Sequence, residues 1–341
     1  MNASLNRRGF GRGLAAIAAA ASLPAWAQTG VLPVSASPAS ASPASASYPQ
    51  RPVELIVPFA AGGGTDVLAR AMAETMRRHF PQSVIVMNRA GASGAVGWSE
   101  LAAAKPDGYK LAIITVEMTM IPHMGLTKIT SDDVVPIARL NADPATIAVR
   151  ADSPFKTLED FLAAAKKDAG GVRIGNAGPG SLGHLAAAAL EDKVGVQFNH
   201  LPYRGANPAV LDLLGGHIEA VAVTPVEVAT YVAAGKVRAL AIMGDKRIQA
   251  GWEQVPTLKE RGIDLLIGGW RGLAAPKNTP PEIIQQLRTV MARTLQEADL
   301  RATMARQNMG EGYLDQPAFL EVIARDNATF KQLVNKLGIK A

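Results

Sequence analysis

The sequence predicts an α/β protein of two lobes, each a mostly parallel sheet flanked by helices. Three observations predict it. From Arg51 onward, strand-like aliphatic runs alternate with segments of helical apolar spacing, the order that layered α/β domains require. A second unit of similar layout begins near Arg150. The chain also has 341 residues, 48% of them apolar, which is enough for two cores of ordinary size.

The elements follow in order. Residues 53–59 read as a strand stopped by Pro58 and by Gly62, Gly63 and Gly64. Residues 66–80 repeat apolar side chains at Val67, Leu68, Ala71, Met72, Met76 and Phe80, a helical period, with Thr65 or Asp66 available as cap. A strand at 83–87, a glycine-rich turn at 91–97 and a helix ending near Ala104 come next. Lys105-Pro106-Asp107-Gly108 turns the chain into a strand at 110–115. The second unit has strands at 146–150, 172–175, 198–201, 220–224 and 239–243, with helices at 158–169 and 181–194 and further helices between. Ser153-Pro154 and Thr157 precede the first of these helices as turn and cap. Residues 266–274 return toward the first unit, and helices at 281–297 and 317–337 pack at its end. The strand at Thr146 and the segment near Gly269 are the expected crossings. Lobe 1 is therefore 48–147 plus 271–341, and lobe 2 is 148–270.

The first 27 residues read as an export signal, with Arg7, Arg8 and Arg12 before an alanine-rich apolar run and an Ala25-Trp26-Ala27 cleavage site. The pair Arg7-Arg8 followed by Phe10 fits a twin-arginine signal, and an ordinary secretory signal accounts for it as well. The apolar run is too short to span ~30 Å of hydrocarbon. Residues 28–47 repeat Ser, Ala and Pro and have nothing to bury, which predicts a disordered spacer. Without the three signal arginines, the 35 basic residues fall to 32 against 29 acidic ones. That weak, dispersed excess argues against a nucleic-acid partner. The chain has no cysteine, which excludes disulfides, thiolate metal sites and a lipid anchor on cysteine.

Two turns carry chemistry. Pro58-Phe59-Ala60-Ala61-Gly62-Gly63-Gly64-Thr65-Asp66 joins a strand to a helix. Its glycines expose backbone N–H groups where the helix start adds partial positive charge, which favours an anion. A capped βα turn needs fewer glycines. The second turn, Gly175 through His184, includes Gly178-x-Gly180-x-x-Gly183 and so matches the dinucleotide fingerprint. Pro179 stiffens it, and Phe198-Asn199-His200 offers no carboxylate for a ribose, so it reads as a second anion-facing loop. A nicotinamide-dependent, NAD(P)-using enzyme is the alternative. His184 shares a helical turn with Ser181 and is either a ligand contact or an interface histidine. Ser181 lacks the glycine two residues before it that a nucleophile elbow requires. The five histidines show no metal-ligand spacing, and Asp132-Asp133 reads as a solvated loop. Glu117 follows a buried strand whose C-terminal end should line a cleft. It is either a hydrogen-bonded or exposed glutamate or a receiver for a cationic ligand group.

At these residues the chain resembles the Bug-type receptors, the substrate-binding components of tripartite tricarboxylate transporters. The resemblance runs from about Tyr48 to Ile339. It rests on Arg51-Pro52, Ile56-Val57-Pro58-Phe59, Gly62 to Asp66, Asn88-Arg89-Ala90-Gly91-Ala92, and Lys105-Pro106-Asp107-Gly108-Tyr109. Gly178 to His184, Pro202-Tyr203-Arg204-Gly205, Asp212-Leu213-Leu214-Gly215-Gly216 and Ala234 to Ala241 follow, then Val255-Pro256-Thr257 and Gly272-Leu273-Ala274-Ala275-Pro276.

The resemblance implies a periplasmic-binding-protein-like venus flytrap that closes on a small carboxylate: a di- or tricarboxylate, an amino acid or an aromatic acid. It implies ordered waters tying the carboxylate to the first loop and direct hydrogen bonds from the second. Carried over, the first loop supplies Phe59, Ala60, Gly62, Gly63, Thr65 and Asp66, and the second Ala177, Gly178, Gly180, Ser181 and His184. Tyr203, Thr224, Trp270 and Glu117 complete the expected site. No catalytic residue, metal or cofactor is expected. The expected partners are membrane permease subunits, or a sensor kinase instead, around a monomeric periplasmic receptor. The chain departs from its relatives at Val116-Glu117-Met118, at Val223-Thr224-Pro225 and at Arg271, where an aromatic residue is usual. A ligand with a carboxylate at one end and a basic or amide group near Glu117 would suit them.

Overall fold

A computed structural model describes residues 48–249 and 251–340. The expected export signal and spacer, 1–27 and 28–47, lie outside the described residues, all of which fall in one compact unit. The first elements are β1 (Val53–Val57), α1 (Gly64–Met76), β2 (Val84–Asn88), α2 (Ala95–Ala102), β3 (Lys110–Thr115) and β4 (Val134–Pro144). Then come β5 (Thr146–Arg150), α3 (Leu158–Lys167), β6 (Arg173–Asn176), α4 (Leu182–Val194), β7 (Asn199–Pro202), α5 (Ala206–Leu214), β8 (Ala220–Val223), α6 (Pro225–Ala233) and β9 (Val237–Ile242). The chain ends with β10 (Gly268–Pro276), α7 (Pro281–Thr294), α8 (Ala298–Arg306), β11 (Leu314–Asp315) and α9 (Gln316–Leu337).

These strands form two sheets, in the orders β11-β4-β10-β3-β1-β2 and β7-β6-β8-β5-β9. The pairings β2-β1-β3 and β7-β6-β8 are parallel, as α/β units joined by helices demand. The rest of each sheet is antiparallel, so the sheets are mixed and not mostly parallel. The reason lies in the crossing strands. Only Ala145 separates β4 from β5, so the chain runs straight from one sheet into the other with no crossover helix. β10 returns along β4 from Gly268 to Pro276. A strand arriving from the other sheet needs no helical return, so nothing forces it parallel.

Local residues explain the helix starts. α1 begins at Gly64, earlier than the spacing predicts, because Gly63 takes the extended N-cap conformation; no side chain caps it. Asp66 therefore sits in the first turn, where its Oδ2 accepts the Gly62 N–H at 3.0 Å. α3 starts with a reciprocal capping box between Thr157 and Asp160, as the sequence suggested at Thr157. β1 and β3 are buried along most of their length because helices cover both faces. Leu68, Met72 and Met76 bury the inner face of α1, each contributing about 1.5–3 kcal/mol.

Candidate functional site

One cavity of about 620 Å³, its mouth included, collects the ends of elements from both sheets. Its wall holds the start of α1 (Gly63, Gly64, Thr65), the end of β3 (Thr115, Val116, Glu117) and β10 residues Gly269, Trp270 and Arg271 from the first sheet. From the second sheet come the start of α4 (Ser181, Leu182, Gly183), the end of β8 and the start of α6 (Thr224, Glu227). The starts of α1, α4, α5 (Ala206) and α6 thus meet at one place, and those of α1 and α4 present backbone N–H groups that the helix itself cannot satisfy. The first N–H of α1 with a backbone partner is that of Val67, which reaches Gly63 O; those of Gly64 and Thr65 have none. On α4, Ser181 Oγ caps the His184 N–H at 3.3 Å, and the Gly183 N–H has no partner. Gly183 is glycine for a steric reason: a Cβ there would lie 1.9 Å from the Ala222 carbonyl oxygen of β8.

Nine of the expected residues lie on this wall: Phe59, Ala60, Gly63, Thr65, Glu117, Ala177, Ser181, Thr224 and Trp270. Six do not, and each has a physical reason. Gly62 gives its N–H to Asp66, and Asp66 is turned away to Arg70 Nε at 2.9 Å and Asn88 Nδ2 at 2.9 Å. Those contacts hold the Asp66 carboxyl below its usual range against the opposing effect of burial. Gly180 donates its N–H to His184 Nδ1 at 3.0 Å, so the histidine braces its own loop. Burial pushes His184 down to about 4, which keeps it neutral and able to accept. Gly178 and Tyr203 line an adjoining cleft that shares Phe59 and Ala177 with the main cavity. Gly178 N–H goes to Asn176 Oδ1 at 3.0 Å, and Tyr203 Oη donates to Asp212 at 2.7 Å. With the Gly178 and Gly180 amides both occupied, the loop offers no pyrophosphate cradle, and the nicotinamide-enzyme reading has no support.

The sequence did not reveal the charged centre. Arg271 is buried; it donates from Nε to Thr65 Oγ1 at 3.0 Å, from Nη1 to Asp143, and from Nη2 to Glu227 Oε1 at 3.0 Å and Thr224 Oγ1 at 3.3 Å. It therefore ties β10 and β4 of the first sheet to the start of α6 in the second. Burial pushes the Glu227 carboxyl up, opposed by Arg271 and by Thr224. Glu117 makes a second bridge: its Oε1 accepts the Leu182 N–H of α4 at 2.9 Å and its Oε2 the Thr115 hydroxyl at 2.5 Å. Ser93 Oγ donates to Pro179 O at 2.5 Å as a third. A motif-based reading misses Arg271, Asp143 and Glu227 because they lie far apart in the chain. The one available signal was Arg271 itself, which stands where the resemblance to the family implies an aromatic residue. Among the described residues no group of His, Asp or Glu is arranged to hold a metal.

The chain resembles known proteins along most of its length. Residues 68–339 match the family model described as "Tripartite tricarboxylate transporter family receptor". A protein of Cupriavidus necator, "UPF0065 protein in gbd 5'region", is 36% identical over 295 residues, covering 86% of this chain and 89% of its own. BugT of Bordetella pertussis is 33% identical over 268 residues, covering 76% and 81%. Among solved structures, a TctC solute-binding protein from Polaromonas without ligand is 56% identical, covers 85% of this chain and all of its own, and has a TM-score of 0.64. Rpa4515 of R. palustris with adipate is 26% identical, covers 86% and 99%, and has a TM-score of 0.82. MatC from Rhodopseudomonas palustris with bound malate is 26% identical, covers 84% and 100%, and has a TM-score of 0.78. With a family model matching most of its length and Bug-named relatives covering three quarters of it, the chain belongs to the Bug-type receptor family of the tripartite tricarboxylate transporters.

Proposed function

We propose that the protein is a periplasmic solute receptor that captures a small carboxylate between its lobes and performs no reaction on it. The observation that carries the reading is the convergence of helix starts from both sheets on one cavity, with backbone amides of α1 and α4 left unpaired. The malate and adipate held by two solved relatives support a carboxylate ligand. The proposed ligand-binding set is the nine wall residues predicted from sequence, joined by Gly64, Gly183, Glu227 and Arg271. The proposed lobes are 48–147 plus 271–341 and 148–270, with the chain crossing near Ala145 and near the start of β10.

Capture proceeds by closure. Contacts that exist only when the lobes meet shift the population toward the closed form. The structural likenesses run in that direction. The 56% identical, ligand-free chain superposes less well than the 26% identical chain with adipate, the reverse of what sequence divergence alone gives. A different lobe angle in the ligand-free relative would produce that inversion. The receptor is exported through its N-terminal signal, by the twin-arginine or the general route, acts as a monomer and delivers its ligand to membrane permease subunits. A thermal-shift screen over mono-, di- and tricarboxylates and amino acids, followed by calorimetry, tests the reading. A bound ligand raises Tm by mass action, and a screen in which no carboxylate raises it refutes the proposal.

A further inference from the structure

Resting on the carboxylate-receptor reading, we infer that this pocket selects a ligand with one carboxylate and, at its far end, an ammonium or amide donor, and discriminates against dicarboxylates. Among the described residues, the only basic side chain on the cavity wall is Arg271. Of its five N–H donors, four are committed to Thr65, Asp143, Thr224 and Glu227. Its charge is met by two carboxylates, which leaves one N–H but no unbalanced positive charge for a ligand anion. Glu117 adds a further carboxylate with no cation in contact. The buried centre is therefore net negative, and stays so even with Glu227 protonated.

The helix starts are unequally available. At α4, the place an anionic ligand group would take is filled from the opposite sheet by Glu117, at 2.9 Å from the Leu182 nitrogen. The wall amides left without a partner include those of Gly63, Gly64, Thr65 and Gly183. They suffice for one carboxylate. A second carboxylate at the Glu117 end would meet a like charge in a desolvated cavity, where repulsion is strong. An ammonium or amide there meets acceptors instead, because each Glu117 oxygen keeps a lone pair beyond its one protein donor.

The test is calorimetric titration of the receptor with matched compounds on two chain lengths: succinate, succinamate and γ-aminobutyrate, then adipate, adipamate and ε-aminocaproate. Glu117→Gln, which keeps the shape and the acceptor for Leu182 N–H, is titrated alongside. The expected result is that the amine or amide member of a series binds at least about tenfold tighter than its dicarboxylate, a gap of about 1.4 kcal/mol, and that Glu117→Gln closes most of it. A dicarboxylate that binds the native protein as tightly as its amine and amide counterparts overturns the inference and leaves the receptor reading standing. So does a gap unchanged in Glu117→Gln. If no compound of these series binds, the ligand found in the wider carboxylate screen decides: two carboxylates without a donor end overturn the inference. Absence of any carboxylate ligand removes the receptor reading and this inference together.

Discussion

Replacing Arg271 by methionine tests the charged centre most directly. The side chain is 8% exposed and its partners Asp143 and Glu227 are 1% and 9% exposed. Methionine fills comparable volume but strands two carboxylates out of water. Removing one partner from a buried ion pair costs about 3–5 kcal/mol, because the remaining charge keeps its desolvation penalty and loses its compensation. At roughly 2–4 °C per kcal/mol, Tm should fall by about 6–20 °C at pH 8. The pH dependence has a definite sign. Burial already holds the Glu227 carboxyl above its ordinary value, with Arg271 the largest opposing influence. Without the arginine it rises further. A carboxyl whose folded pKa exceeds its unfolded value favours the fold fully below the unfolded value, about 4.3, and loses that contribution as pH rises through the folded value. The deficit of Arg271→Met should therefore deepen from pH 5 to pH 8 in calorimetric scans. Adding Glu227→Gln should recover part of it at pH 8. A variant that melts within 2 °C of the parent at pH 8, or whose deficit grows on acidification, would refute the reasoning.

Three further outcomes follow from single contacts. Gly183→Ala places a methyl against the Ala222 carbonyl and must push α4 off β8; it should cost about 1–3 kcal/mol in urea melts, and weaken ligand binding at least about tenfold by shifting the α4 amides. His184 is held down to about 4 by burial, so the folded state favours its neutral form. Its contribution is complete above the unfolded value near 6.5 and is lost as pH falls toward 4; His184→Gln should therefore flatten the drop in Tm between pH 7 and pH 5. Thr157→Ala removes the hydroxyl that accepts the Asp160 N–H at 3.1 Å, far from the cavity. It should lower stability by about 1 kcal/mol and leave ligand affinity unchanged.

What the sequence disclosed depended on how local each determinant is. Elements defined by their own residues were legible: β3 and β5 fall where alternating aliphatic runs placed them, and α4, capped by Ser181, begins one residue inside the expected start. β4 was not legible. Its segment Val134–Pro144 contains Pro136, Asn141, Asp143 and Pro144, residues that argue against a strand. It forms because β10 pairs along its length, a partner more than 120 residues away. α8 was missed for a related reason: only Leu300 and Met304 of its nine residues are buried, which leaves little apolar period to read.

The site divides along the same line. Glycine turns that open helices are local, and they mark the amide clusters of α1 and α4 on the cavity wall. The α6 start, at Thr224-Pro225, has no glycine and announces only a capped helix. Its cap residue Glu227 becomes a site residue solely through Arg271, 44 positions on. Glu117 shows how far such pairing can invert a local reading. Seen in sequence, a glutamate after a buried strand waits for a ligand, and a glycine turn before a helix waits for an anion. In the fold the two expectations partly consume each other, since Glu117 itself occupies the α4 start. The local code therefore specifies where an anion can be held. The long-range pairing decides how many of those places remain for a guest, and, on the inference drawn above, a pocket that has filled one of them from within reads its ligand by the end that is not a carboxylate.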